Sequence, residues 1–269
     1  DPTGPGAASV FAALHQDGAQ ANMLERTYAR AMNHSRATAS LINDALDAAP
    51  DFGAFFPGAG FSLDAQLRTV ARLVHAANNP GSSGYTGLKR QVFFVNLGGF
   101  DTHSDQMAVH GSAPSDGGLF DVLSRALSGF YAALESAGLA SSVTSFTASD
   151  FGRTLTSNDS GTDHGWGGHH FVVGGAVQGG QFYGNGAGLA ADTHFGVVMP
   201  SLVNPTTPYG VPSPNRNDPG DGYGRLIPTT SVDHYGATLA RWFGLTDSEI
   251  DLVFPNLANF STRYLGFLG

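Results

Sequence analysis

The stretch QVFFVNLGGFDTHSDQ, residues 91–106, decides the reading of the fold. Its first half, Gln91 to Leu97, is a short apolar run of the kind buried inside a parallel sheet. Gly98 and Gly99 then open the backbone, and Asp101, His103 and Asp105 follow at alternate positions. A carboxylate and an imidazole just past a buried strand lie where open α/β sheets hold their binding sites. Downstream, Leu119, Leu123, Leu127, Phe130 and Leu134 mark one face of a helix that Gly138 stops. Val143 to Ala148 reads as the next strand and runs into Ser149-Asp150-Phe151-Gly152-Arg153-Thr154. Strand, helix and strand in this order form a βαβ unit with a right-handed crossover. Phe171-Val172-Val173 is a third strand candidate. The expected fold class is therefore α/β, a mostly parallel central sheet flanked by helices.

The rest of the chain fits around this unit as one domain, residues 1–269, with a mainly helical part at 1–80 and a motif-bearing α/β part at 90–260. Residues 7 to about 48 are Ala-rich and read as two helices joined near Asn33-His34-Ser35. Ser62 looks like an N-cap for a helix striped by Leu63, Leu67, Val70 and Val74. His75 in that helix reads as a surface or packed residue rather than a ligand. From Gly174 to Thr230 the chain is rich in Gly, Pro and Asn, without periodicity. A closing helix spans about Ser231 to Phe243, and Thr246-Asp247-Ser248-Glu249 is a capping box for a last short helix ending at Pro255.

Composition excludes several classes. A net charge of -9 argues against a surface for nucleic acid or anionic membranes. The absence of cysteine removes disulfides, thiolate catalysis and Cys-based zinc sites. No apolar run approaches the ~18 residues of a membrane span. There is no Gly-x-Ser-x-Gly elbow and no P-loop. The start, Asp1-Pro2-Thr3-Gly4, lacks Met and a signal peptide and reads as a processed or truncated end.

The chemistry gathers at the expected sheet edge. Asp101 and His103 leave one strand and Asp150 leaves the other, while Gly161-Thr162-Asp163-His164-Gly165-Trp166-Gly167-Gly168-His169-His170 adds imidazoles. Mixed carboxylate and imidazole donors suit zinc or manganese, and a carboxylate-rich set would hold calcium. Arg153 is placed to grip an anionic oxygen. Blander readings stand beside these. Asp101 can hold a glycine turn, Asp150 with Arg153 can be a surface ion pair, and His169 or His170 can be a core histidine. Asp192-Thr193-His194 repeats the Asp-x-His triplet without a clear strand before it and is assigned no role.

The segments GGFDTHSDQ, SDFGRT and GTDHGWGGHHFVVGGAVQGG, followed by GRLIPTTSVDHYGATLARWFG and LVFPNL, resemble the bacterial family known as domain of unknown function 1501. The resemblance spans roughly residues 90 to 260. It implies an alkaline phosphatase and sulfatase-like fold, lacking its N-terminal strand here, and export by the twin-arginine route to the periplasm or beyond. It also implies a divalent metal, zinc first and calcium or manganese as alternatives, held by Asp101, His103, Asp150 and His164. Arg153 or His170 would contact the substrate, a small anionic ester or a sulfated or phosphorylated glycan. Phe151 stands where the superfamily has a histidine, and the family's glycine-rich acidic loop has no counterpart, so a separate N-terminal part of the same precursor is an implied partner. The expected activity is metal-dependent hydrolysis of phosphate or sulfate esters. The alternative is a non-catalytic secreted structural or carbohydrate-binding protein with an incomplete metal site.

Overall fold

A computed structural model of the chain describes residues 5–16, 22–58, 62–79, 81, 85, 87–113, 116–184, 224–226, 228 and 230–268. The chain divides into two compact units, Asp1–Phe52 with Arg68–Phe93, and Gly53–Leu67 with Phe94–Gly269. Asp192, Thr193 and His194 lie outside the described residues. No helix among the described residues is long and apolar enough to cross a membrane.

The first unit is helical. α1 spans Pro5–Leu14, α2 spans Met23–Ala48, and most of α3, Ser62–Asn78, belongs here. The expected join at Asn33-His34-Ser35 is corrected, because α2 runs through it unbroken. Residues of middling propensity cost only a few tenths of a kcal/mol each inside a helix. Asn33 is put to use instead, its Nδ2 donating to the His15 carbonyl at 2.6 Å. The start of α2 is set by Asn22, whose side chain accepts from the Leu24 amide at 2.8 Å. The core of this unit joins Ala45, Leu73, Ala76, Ala77 and Tyr85, where alanines let the helices approach closely. His75 packs edge-on against Phe52.

The second unit mixes helices with short strands. α4 spans Gln106–His110, α5 Leu119–Ser136, α6 Val232–Phe243 and α7 Asp247–Val253. α5 begins and ends as its stripe and Gly138 predict, with Gly138 at φ 70°. Its buried face comprises Val122, Ala126, Gly129, Phe130, Ala133 and Leu134, so Phe130 and Leu134 of the stripe are buried while Leu119, Leu123 and Leu127 are half-buried. Gly129 is required there, since a Cβ would sit 2.2 Å from the Phe55 carbonyl oxygen. Ser231 caps α6, and the Thr246–Glu249 capping box opens α7. These two helices close over Ala237, Ile250 and Leu257. Ile250 is fully buried, so Ile250→Ala should lower stability by about 2–5 kcal/mol, read as a drop in the urea midpoint at unchanged slope.

The strand candidates at Val143–Ala148 and Phe171–Val173 both form strands, but the pairing differs from expectation. β1, Thr144–Phe146, pairs antiparallel with β4, Val172–Gly174, and β2, Gly152–Ser157, pairs antiparallel with β3, Thr162–Gly165. Among the described residues there is no parallel sheet, and the chain is a mixed helix and strand fold. Gln91 to Leu97 carries no strand, and no βαβ crossover built on it is seen among the described residues. The run is nevertheless extended in its exposure pattern, with Val92 and Phe94 at 78% and 89% exposed and their neighbours half-buried. Backbone groups of Val92 to Val95 have no hydrogen-bond partner among the described residues. Strand composition alone does not supply a neighbouring strand.

Candidate metal centre

Two segments build the site, the loop of residues 98–105 and the β2–β3 hairpin. Gly99, at φ 97°, turns the loop out of the apolar run, and Asp105, at φ 51°, turns it into α4. The hairpin is then fastened alongside. The Asp105 amide donates to Ser160 Oγ at 3.2 Å, the Gln106 amide to the Ser160 carbonyl at 3.0 Å, and Thr162 Oγ1 to Gln106 Oε1 at 2.8 Å. This closeness requires Gly161, where a Cβ would fall 2.7 Å from the His103 carbonyl carbon.

Arg153, on β2, ties both segments together. Its Nη2 donates to the Phe100 carbonyl at 2.6 Å and its Nη1 to the Thr162 carbonyl at 2.5 Å. Phe100 immediately precedes Asp101, and Thr162 immediately precedes Asp163-His164. The guanidinium therefore fixes the backbone at the root of each acidic and imidazole residue, with its fork matched to two acceptors.

At the tip of this arrangement, Asp101 Oδ1 lies 2.8 Å from His164 Nε2 and 3.2 Å from His103 Nε2. His103 Nδ1 is 3.7 Å from Asp163 Oδ1. Phe151 stacks on the His164 ring at 3.8 Å and 6°, which sets the plane of that imidazole. The hydrogen bond from His164 holds the Asp101 carboxyl below its ordinary pKa, helped by the nearby His164, His103 and Arg153 charges against a desolvation effect. Asp101 is thus an anion ready to face a cation.

The donor set fits a divalent ion. One ligand atom from each of Asp101, His103 and His164 lies within 4.8 Å of the others, and all three residues are exposed. Around a tetrahedral zinc with bonds of ~2.0–2.1 Å, neighbouring donor atoms stand roughly 3.3 Å apart. The observed 2.8 and 3.2 Å would need to spread by a few tenths of an ångström. An ion held by these three residues would keep a further position for water or a ligand.

Of the six residues singled out from sequence, the structure brings together Asp101, His103 and His164. Asp150 is exposed and stands outside that group, with Phe151 beside it filling the contact to His164. Arg153 is close by but engaged with backbone carbonyls. His170 stacks on Tyr235 instead, and burial lowers its pKa. Asp105 contributes its backbone turn. Asp163 and His110 were not singled out. The signal for Asp163 was its place directly before His164, where one hairpin strand delivers both. His110 shows itself only in three dimensions, through an Nε2 contact of 3.0 Å to Thr102 Oγ1.

Arg153→Lys tests the clasp. A single ammonium cannot hold two carbonyls in the same fork, so zinc affinity should fall roughly 10–100-fold, as for other changes behind a ligand shell. Isothermal titration against wild-type protein measures it, and equal affinities would show the clasp to be irrelevant to binding.

Residues 84–204 match the family described as Protein of unknown function (DUF1501), and this match supports the resemblance carried by the ligand loop and the hairpin. No curated protein and no solved structure matches the chain.

Proposed function

We propose that the chain is an exported hydrolase domain of the alkaline phosphatase and sulfatase type, acting on phosphate or sulfate esters with a divalent ion, zinc first. The observation that carries this reading is the placing of one carboxylate oxygen against two imidazole nitrogens, Asp101 Oδ1 at 2.8 Å from His164 Nε2 and 3.2 Å from His103 Nε2. Asp101, His103 and His164 would hold the ion, and Asp163 would orient His103 through its Nδ1. Bound there, the ion supplies Lewis-acid polarisation of an ester oxygen. Phe151 keeps the His164 ring in plane, and Arg153 holds the two backbone segments at fixed separation. The exported location and the parallel-sheet architecture of that superfamily belong to the same reading.

A second reading is favoured by one observation. Asp150 stays outside the ligand group, so three exposed donors stand where the family resemblance implied four. A weak site of this kind suits a secreted structural or carbohydrate-binding protein.

Metal content decides first. Purified protein dialysed against zinc should retain about one equivalent, and less than about 0.1 equivalent of any divalent ion would sink the site. A panel of aryl phosphates and aryl sulfates then separates hydrolase from binding protein, since only the hydrolase releases phenolate.

A further inference from the structure

We infer that Trp166 is a stacking platform beside the metal centre and that the ester received there is carried on a sugar ring. The inference rests on the metal reading above and deepens it, naming the part of the substrate that does not react. Trp166 is 77% exposed, although tryptophan is on average highly buried in folded chains. It stands two residues past His164 and directly after the last residue of β3, with the buried Gly165 between them. Side chains two apart on an extended chain emerge on the same face, their Cα atoms roughly 7 Å apart.

The partner strand shows which face this is. β2 and β3 pair Gly152 with Gly165 and Arg153 with His164, and one step further along that register Phe151 stands opposite Trp166. Phe151 lays its ring on His164 at 3.8 Å, so position 151 faces the ligand side, and position 166 shares that side. The two segments stay together past the end of the strands, because a Cβ on Gly152 would fall 1.8 Å from the Gly167 carbonyl oxygen. The Gly167 amide in turn donates to the Leu226 carbonyl at 2.9 Å. The backbone on either side of Trp166 is therefore held, while its indole is left in solvent. Folding gains little from an indole in water, whereas a ligand that covers it gains a large apolar contact at low cost in side-chain ordering.

The neighbours of the indole select the ring. Asp150, directly before Phe151, is exposed, and so are Gly168 and His169 just past Gly167. An apolar plate edged by a carboxylate and an imidazole matches a pyranose, whose C–H face lies on the plate while its hydroxyls donate to the carboxylate. A plain aryl ring would use the plate alone, and a short alkyl ester would use neither. Asp150, outside the group that could hold the ion, thereby gains a role in reading the sugar. The class of substrate is a sulfated or phosphorylated sugar, with its ester group toward the ion and its ring on Trp166.

The test uses the full chain loaded with zinc. In Trp242→Phe, whose melting temperature is first compared with wild type, Trp166 is the one remaining tryptophan. Its emission should shift to the blue as glucose 6-sulfate is titrated in, because the indole leaves water. By calorimetric titration, Trp166→Ala should weaken glucose 6-sulfate binding roughly 3–10-fold, the range of an aromatic contact, and Trp166→Phe should retain most of the affinity. Zinc retention by Trp166→Ala is measured alongside, so that loss of the ion is not mistaken for loss of the plate. Ethyl sulfate, the same anion without a ring, should bind more weakly than glucose 6-sulfate and be indifferent to the substitution. Equal binding of glucose 6-sulfate by wild type and Trp166→Ala, an indole that does not respond, or phenyl sulfate binding more tightly than glucose 6-sulfate would each overturn the assignment. A wild-type protein that binds no zinc would instead remove the metal reading, and the inference with it.

Discussion

Asp101→Asn should abolish zinc binding while leaving the metal-free protein folded. Asp101 is the shared partner of both imidazoles, with Oδ1 at 2.8 Å from His164 Nε2 and 3.2 Å from His103 Nε2. Its carboxyl is held below the ordinary pKa chiefly by the His164 hydrogen bond, so it is anionic over the whole neutral range. An amide keeps the shape but removes the negative charge that balances an incoming cation. The loss should exceed the roughly 10–100-fold seen when groups behind the ligands are changed. The folded state depends little on these contacts, because all three residues are exposed and screened by solvent. Calorimetric titration and thermal melting together check the prediction. An Asn variant with wild-type zinc affinity would show that the ion, if any, is held elsewhere.

Gly152→Ala should be the most damaging single change to the hairpin. A Cβ at this position would lie 1.8 Å from the Gly167 carbonyl oxygen, a backbone atom with no flexible side chain to yield. Gly152 is buried and pairs with Gly165 in the register of β2 and β3. The next residue, Arg153, is already committed to two carbonyls, so the strand cannot shift without breaking them. Overpacking typically costs 1–3 kcal/mol where side chains can adjust, and a backbone clash belongs at or beyond the upper end, about 3 kcal/mol. Urea denaturation should show a lower midpoint, and zinc affinity should fall with it because His164 sits on the partner strand. An unchanged midpoint would mean that the hairpin backbone is looser than its hydrogen bonds indicate.

Elements with a local cause were legible in the sequence. α5 announces itself through its apolar stripe and Gly138, α6 through Ser231, and α7 through a capping box that forms as read. Elements defined by their partners were legible only in part, since β1 and β4 lie where the sequence reads strands but their antiparallel pairing does not show in it. The β2–β3 hairpin lacks apolar alternation, since Thr154, Thr156 and Thr162 carry its β-preference, and it reads as a polar loop. Gln91 to Leu97 erred in the other direction, being strand-like in composition without a ladder. At the site, Asp101, His103 and His164 were legible because motifs mark them. Asp150 looked equivalent from sequence, yet the aromatic ring that touches His164 belongs to its neighbour Phe151. Arg153 shows why residue type alone misleads: a guanidinium suited to an anion is equally suited to two carbonyls. His110, seven residues past His103, is brought back to Thr102 by the turn into α4, which no spacing rule foretells.

The unladdered run at residues 92–95 carries a consequence for how the chain resists solvent. Protection of an amide from proton exchange follows its hydrogen bond, not the hydrophobicity of its side chain. Val92, Phe93, Phe94 and Val95 have the composition of a buried strand but no backbone partner among the described residues. The threonine-rich hairpin, polar by composition, holds paired amides. Amides of residues 92–95 are therefore expected to exchange faster than those of the hairpin, although the run is the more apolar of the two.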